Sequence, residues 1–172
     1  MRYQGPAYRA IHPMWSYRPT SGEGAAIHGG RFNPEGVPAL YLGTSLEVAF
    51  LEATQGFAYK FKPLTMCSYD VDCTDLVDLT SDEARQEAGV SLSDMACAWA
   101  LDLSENRRPS AWTIYDRLHA NAAGIRVPSF AVGTSATMSN LVLWDWGEAP
   151  PHKVTVFDPD HRLPHDQASW DQ

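Results

Sequence analysis

The pattern of apolar and polar residues predicts strands at both ends of the chain and helices between them. In one of the strand-like runs, the alternation places Thr65, Cys67, Tyr69 and Val71 on one face. Runs of this kind occur at residues 6–12, 37–44, 64–73, 125–132, 140–146 and 152–159. Strands that open and close a chain, with helices between them, favour an α+β domain over a doubly wound parallel sheet.

The first long helix is predicted directly after the strand at residues 37–44. Thr44 and Glu47 have the T-x-x-E spacing of a capping box, in which each side chain bonds a free backbone N–H of the first turn. The helix is predicted from Ser45 to about Gln55, and Gly56 is placed to end it. Strand, turn and helix are therefore expected to be contiguous.

Three further helices are predicted in the middle of the chain. Thr80 and Glu83 repeat the capping-box spacing ahead of residues 82–89. The other two helices are expected at residues 93–103 and 110–124, with Gly124 as the C-terminal signal of the second.

Length and composition are those of an ordinary globular protein. The chain has 172 residues, of which 44% are hydrophobic and 20% charged. We expect one domain over residues 1–172, with residues 163–172 as a tail that frays, because no internal repeat or long linker divides the sequence. No apolar run is long enough to cross a bilayer, and the three cysteines lack a C-x-x-C spacing. A cytoplasmic protein without a membrane span or disulfide framework is expected.

The net charge of −8 argues against direct binding to nucleic acid, which needs a basic face. The positive charge is concentrated near the N-terminus. Residues 1–31 hold four arginines and one acid, a local charge of +3, so the other 141 residues carry −11. This distribution suits a small anionic ligand better than a polymer, although four solvated arginines are the equally simple alternative.

Taken singly, the candidate functional residues have ordinary structural explanations. Glu52 lies beside the apolar stripe of its predicted helix, where it could reach water or serve a site. Arg31 could be an exposed loop residue, Tyr41 a core residue and Ser129 a structural serine. No metal motif such as H-E-x-x-H is present, and neither is a G-x-S-x-G nucleophile elbow or a G-x-G-x-x-G dinucleotide motif.

In combination these residues are more specific. The segment GEGAAIHGGRFNPEGVPALYLGTSLEVAFLEA at residues 22–53 contains G-G-R-F-N, a tyrosine ten residues after the arginine, and a glutamate in the following helix. With YRAIH at 8–12, RVPS at 126–129 and HKVTVFDPDHRLP near the end, it resembles the RES domain, the toxin module of RES–Xre toxin–antitoxin pairs. Two positions depart from the family pattern: Phe32 replaces a tryptophan, and NLVLWDW stands where N-Y-x-x-N-P is usual.

The resemblance implies a single α+β domain like that of the ADP-ribosyltransferases, with small β-sheets flanked by helices, acting on NAD without a metal. It implies that Glu52 and Arg31 are catalytic and that Arg9, Arg31, Tyr41 and Ser129 bind NAD. Glu52 would stabilise positive charge on the ribose, and the arginines would bind pyrophosphate or ribose. Tyr41 would contact nicotinamide and orient a ribose group, and Ser129 would bond a ribose or an amide.

The reaction implied is that of a bacterial toxin that cleaves the nicotinamide–ribose bond and passes ADP-ribose to an acceptor. A protein acceptor is expected by analogy with the fold, while water (a glycohydrolase) or phosphate (a phosphorylase) remain alternatives. A silent interaction module and a glycosidase using Glu52 are further alternatives. The implied partner is an antitoxin with an Xre-type helix-turn-helix, which would supply the DNA contact and occlude the pocket.

Overall fold

The fold is built on one sheet of seven strands. The computed structural model describes residues 1–54 and 62–168. Within these residues the strand order is β4-β5-β6-β2-β1-β3-β7, and β4 and β5 are parallel while the other neighbours are antiparallel. The strands are β1 Tyr3–Ile11, β2 Leu40–Gly43, β3 Thr65–Cys73, β4 Leu76–Asp78, β5 Gly124–Pro128, β6 Ser139–Leu143 and β7 His152–Val156.

The sheet has two parts that meet at one narrow junction. Strand β1 pairs with β3 along its whole length, from Tyr3 opposite Cys73 to Ile11 opposite Thr65. By contrast, β1 and β2 are joined through the pair Tyr8 and Gly43. The strands β1, β3 and β7 therefore form one part and β2, β4, β5 and β6 the other. The predicted α+β class is confirmed, and in place of separate small sheets the strands form one seven-stranded sheet in which these two parts meet.

Short helices connect the strands. A 3₁₀ turn at Pro13–Trp15 follows β1. The α-helices are α1 Glu23–His28, α2 Leu46–Thr54, α3 Asp82–Ala88, α4 Leu92–Met95, α5 Trp99–Ser104 and α6 Trp112–Leu118. Helix α2 packs across β1 and β2, and so lies over the junction between the two parts of the sheet.

The core has one cluster on each side of the sheet. Successive residues of β6 point to opposite faces, so Leu141 and Leu143 belong to one cluster and Val142 to the other. All three are fully buried. In β3 the face predicted from the alternation is confirmed, since Cys67, Tyr69 and Val71 are buried in the first cluster.

Both predicted capping boxes are wrong by one residue. The hydroxyl of Thr44 donates to the backbone oxygen of Ser139, and it is the hydroxyl of Ser45 that accepts a hydrogen bond from the Val48 N–H. At α3 the cap is likewise Ser81, which accepts from the Ala84 N–H. At both helices the hydroxyl of the threonine before the cap donates to a residue outside the helix, Thr44 to Ser139 and Thr80 to Asp78.

Two of the predicted helices are shorter than expected. Residues 93–103 do not form one helix, because the chain breaks between α4 and α5, where the backbone oxygens of Met95 and Cys97 accept hydrogen bonds from the Arg31 side chain. The helix predicted over 110–124 ends at Leu118, and Gly124 begins β5 instead of ending the helix. A Cβ at Gly124 would collide with the Val142 backbone oxygen, so tight strand pairing explains this glycine. Strand β4, which is three residues long, was not predicted.

The remaining expectations concern the ends of elements. The predicted helix end at Gln55 and Gly56 lies outside the described residues, as do residues 169–172 of the predicted frayed tail. Within that tail, Leu163 packs against the first core cluster.

Among residues 1–54 and 62–168, no helix has the length and apolar character that a membrane span requires.

Candidate active site

Glu52 lies in the last turn of α2, close to the junction of the two parts of the sheet. Its Oε1 atom accepts a 2.6 Å hydrogen bond from the Ser129 hydroxyl and another of 2.6 Å from Asn140 Nδ2. Ser129 directly follows β5 and Asn140 lies in β6, so both donors are anchored on strands. A half-buried carboxylate with two donors on one oxygen has a fixed orientation.

The second carboxylate oxygen of Glu52 is left for another partner. In the part of the chain that the structure describes, Oε2 accepts no hydrogen bond. Two cavities border this carboxylate. From the sequence, Glu52 could either reach water or serve a site. In the structure it faces two cavities and is held there by hydrogen bonds from two side chains.

Arg31 is positioned by the break between α4 and α5. Its Nη1 donates to the backbone oxygens of Met95, at 3.1 Å, and Cys97, at 2.9 Å, while the guanidinium carbon lies 4.9 Å from the centre of the Phe130 ring. Burial lowers the pKa of Arg31, and the negative charge of Glu52 is among the influences that oppose this. Among the described residues no carboxylate bonds this partly buried cation, which favours an anionic ligand.

Tyr41 is held by its hydroxyl and presents its ring. The hydroxyl donates to Asn33 Oδ1 at 2.7 Å and accepts from the Phe32 N–H at 3.0 Å. Burial raises the pKa of this phenol, so it stays neutral. Since its single proton is bonded to Asn33, the hydroxyl does not have the free donor that orienting a ribose would use, whereas the ring borders both cavities.

Arg9 projects from β1. Its Nη1 donates to the backbone oxygens of Pro19, at 3.2 Å, and Ser21, at 2.9 Å. Burial lowers the pKa of Arg9. The loop that follows the 3₁₀ turn therefore holds this side chain in place.

Two neighbouring cavities meet at Glu52. The first, called the Arg31 cavity, has a volume of about 490 Å³ and includes Arg31 and Phe130 in its wall. The second, called the Arg9 cavity, has a volume of about 300 Å³ and includes Arg9 and Tyr8. Both are bordered by Tyr41, Glu52, Trp99 and Asn140. Each cavity thus has its own arginine, and they share one carboxylate.

The structure brings together all five residues singled out from the sequence, with a different place for one of them. Arg9, Arg31, Tyr41 and Glu52 border the cavities. The Ser129 hydroxyl donates to the Glu52 carboxylate, and Ser129 is not among the residues that border the two cavities.

Sequence reasoning missed Asn140, Trp99 and Asn33. Asn140 is a polar residue at the start of an apolar strand, which was the available signal. Trp99 belongs to a predicted helix that proved to be broken, so its position beside both cavities had no signal in the pattern. Asn33 is buried and bonds three backbone oxygens as well as Tyr41, so it fixes the G-G-R-F-N turn. Across residues 1–54 and 62–168, no group of three or more metal-ligating side chains is found.

Comparison with known proteins identifies the family. The family model described as the RES domain matches residues 6–166. No curated protein matches the sequence. Among solved structures, the chain is similar to one in the crystal structure of the M. tuberculosis MbcT-MbcA toxin-antitoxin complex, with a TM-score of 0.62 and 24% sequence identity. The similarity covers 92% of this chain and 84% of the other, and it shows a shared fold. With a family match over nearly its whole length, the chain belongs to the RES domain family.

Proposed function

We propose that this chain is a bacterial toxin that acts in the cytoplasm by cleaving the nicotinamide–ribose bond of NAD and transferring ADP-ribose to an acceptor. The observation that carries the proposal is the fixed Glu52 carboxylate at the meeting point of two cavities, each bordered by a partly buried arginine. NAD has this distribution of chemistry, with a reacting ribose carbon next to a pyrophosphate. Membership of the RES domain family supports the same substrate.

Glu52 is assigned the electrostatic role in bond cleavage. Nicotinamide leaves NAD as a neutral molecule, so its departure needs no general acid, and positive charge develops at the ribose C1 as an oxocarbenium ion. A carboxylate fixed before the reaction stabilises this charge more in the transition state than in the ground state. Ser129 and Asn140 hold Oε1, which leaves Oε2 for the ribose.

The arginines are assigned to the anionic part of the substrate. Arg31 and Arg9 would bind the pyrophosphate and the neighbouring ribose hydroxyls through charge-assisted hydrogen bonds. The Tyr41 ring, which borders both cavities, would lie against the nicotinamide, and the attraction between a cationic ring and an aromatic face supports this. Ser129 acts on the substrate through Glu52, which makes it a positioning residue.

The acceptor is proposed to be a protein side chain, by analogy with the fold of the ADP-ribosyltransferases. Water or phosphate would serve the same first step, giving a glycohydrolase or a phosphorylase. The test is incubation of the purified protein with NAD labelled in the adenosine half, with and without cell lysate and with and without phosphate. Label on protein supports the transferase, whereas label found solely as free ADP-ribose or its phosphorylated form would replace that acceptor with water or phosphate.

A partner protein is also proposed. A solved structure with a similar fold is a toxin-antitoxin complex, and the sequence motifs resemble those of toxins paired with an Xre-type helix-turn-helix antitoxin. We infer that such an antitoxin binds this acidic chain, supplies the DNA contact and covers the cavities around Glu52. Purified antitoxin should then compete with NAD, and an unchanged NAD affinity in the saturated complex would rule out coverage of the site.

A further inference from the structure

A third cavity lies on the far side of Arg9. It has a volume of about 230 Å³, is called here the Trp15 cavity, and is formed mainly by residues between β1 and the first turns of α1. Arg9 borders both this cavity and the Arg9 cavity, so the two cavities are neighbours at this residue. Its wall includes Arg9, Ile11, His12, Trp15, Arg18 and Ile27.

Trp15 presents an aromatic surface at this cavity. The side chain is 53% exposed, although it belongs to the short 3₁₀ turn that fixes its backbone. In the described part of the chain, the indole N–H groups of Trp112, Trp144 and Trp146 each donate to a backbone oxygen, and those of Trp15 and Trp99 do not. The two tryptophans without such a bond both border cavities of the site.

The wall between Trp15 and α1 is fixed by bonds to the sheet. The backbone oxygen of Pro19 accepts from both Arg9 and the Tyr69 hydroxyl, and that of Thr20 accepts from the Trp146 indole. A Cβ at Gly22 would lie 2.6 Å from the Trp146 ring and 2.9 Å from the Ala39 backbone. This loop therefore packs closely, and one wall of the Trp15 cavity is held by these contacts.

The order of groups along these cavities matches the order of groups in a dinucleotide. From Glu52 the cavities lead to the Arg9 guanidinium and then to the Trp15 indole. In NAD the scissile ribose is followed by the pyrophosphate and then by adenosine, whose flat ring stacks on aromatic side chains. We propose that the Trp15 cavity is the subsite for the adenine ring of NAD, with Trp15 as the stacking surface. This inference rests on the proposed function and adds to it the recognition of the adenosine half.

The test separates the adenosine half of NAD from its nicotinamide half. In the full-length protein, Trp15→Ala should raise the KM for NAD on the order of ten-fold, as expected for loss of one base–aromatic stack, with kcat within about two-fold of wild type. The affinity for ADP-ribose, measured by calorimetry, should fall by a similar factor. Nicotinamide mononucleotide keeps the scissile bond but lacks adenosine monophosphate, so its inhibition constant against NAD should stay unchanged.

Two further variants control for structural effects. Trp15→Phe keeps a stacking surface and should restore most of the affinity, whereas Phe157→Ala removes an aromatic side chain that is 69% exposed and borders none of the three cavities, so it should have no effect. An unchanged affinity of Trp15→Ala for ADP-ribose, or an equal loss for nicotinamide mononucleotide, would overturn the subsite. If the wild-type protein releases no nicotinamide, the proposed function fails, and ADP-ribose binding still decides: loss of affinity in Trp15→Ala supports the subsite, while no binding by wild type overturns it.

Discussion

Asn140 donates a 2.6 Å hydrogen bond to Glu52, on the same carboxylate oxygen that accepts from Ser129. The two residues are 88 positions apart in the chain, and they meet because β6 pairs with β2, which leads into α2. The amide borders both cavities that meet at Glu52. The orientation of the proposed catalytic carboxylate is therefore set by the sheet as much as by its own helix.

Asn140→Ala should reduce kcat for nicotinamide release and change the KM for NAD little. Removing a hydrogen bond to a charged group costs about 1.5–3 kcal/mol, which corresponds roughly to a 10- to 100-fold effect. Asn140→Asp should be worse still, because it keeps the shape and puts a second negative charge against Oε1. Steady-state kinetics on both variants check this, and an Asn140→Asp protein with wild-type kcat would contradict the positioning role.

Ser129→Ala should also lower kcat, by roughly ten-fold, because the second donor on Oε1 is lost. Since Ser129 and Asn140 hold one atom, their effects should not add. The Ser129→Ala/Asn140→Ala protein should be less impaired than the product of the two single effects, as measured in a double-mutant cycle. If the effects multiply, the two side chains act independently and do not serve the same carboxylate.

Taken singly, the candidate residues have ordinary structural explanations, and it is the resemblance of the motifs to the RES domain that implied a common site. The structure places Arg9, Arg31, Tyr41 and Glu52 beside the two cavities. The hydrogen bond from Ser129 to Glu52 could not be predicted, because it depends on the distance between the end of β5 and α2. Asn140 was missed for a similar reason, since its partner lies on an element distant in sequence.

Arg31→Lys should act mainly on NAD binding. Lysine cannot replace this arginine. Nη1 alone bonds the backbone oxygens of Met95 and Cys97, which leaves the other guanidinium nitrogens for a phosphate, whereas a lysine nitrogen that made those two bonds would have one donor left. We expect the KM for NAD to rise on the order of ten-fold or more, with a smaller change in kcat, both measured by steady-state kinetics. Arg2→Lys, at a surface ion pair with Asp72, is the matched control and should behave as wild type.

The positions of most strands were predicted from the sequence, whereas the ends of the helices were predicted less well. Strand alternation reports burial directly, which is why the faces of β3 were assigned correctly. Helix starts depend on which of two neighbouring hydroxyls reaches the backbone, and at α2 a bond from Thr44 to β6 leaves Ser45 as the cap. The break between α4 and α5 has a tertiary cause as well, since Arg31 binds the backbone oxygens exposed there.

Gly30→Ala should destabilise the protein and disturb the site together. A Cβ at this position would lie 2.5 Å from Asn33 Oδ1 and 2.6 Å from the Tyr41 hydroxyl, so their hydrogen bond must give way. We expect a loss of about 1–3 kcal/mol in the free energy of unfolding, measured by denaturant titration, together with weaker NAD binding. Gly147→Ala is the matched control, because a Cβ there meets no atom within 4 Å and Gly147 borders none of the three cavities, so it should leave both quantities unchanged.

The central claim is that the charge of Glu52 drives cleavage of NAD, and Glu52→Gln isolates that charge. Glutamine has nearly the same size and helix propensity, and its amide oxygen can accept the hydrogen bonds from Ser129 and Asn140, so the helix and the side-chain position should be kept. NAD binding, which we assign mainly to the arginines, should change little.

The decisive measurement is the single-turnover rate of nicotinamide release by folded Glu52→Gln protein saturated with NAD. Loss of one preorganised electrostatic group predicts a rate on the order of 10²- to 10³-fold below wild type, with the affinity for NAD, measured by calorimetry, preserved. A folded variant that binds NAD and releases nicotinamide at the wild-type rate would show that Glu52 is not the catalytic carboxylate.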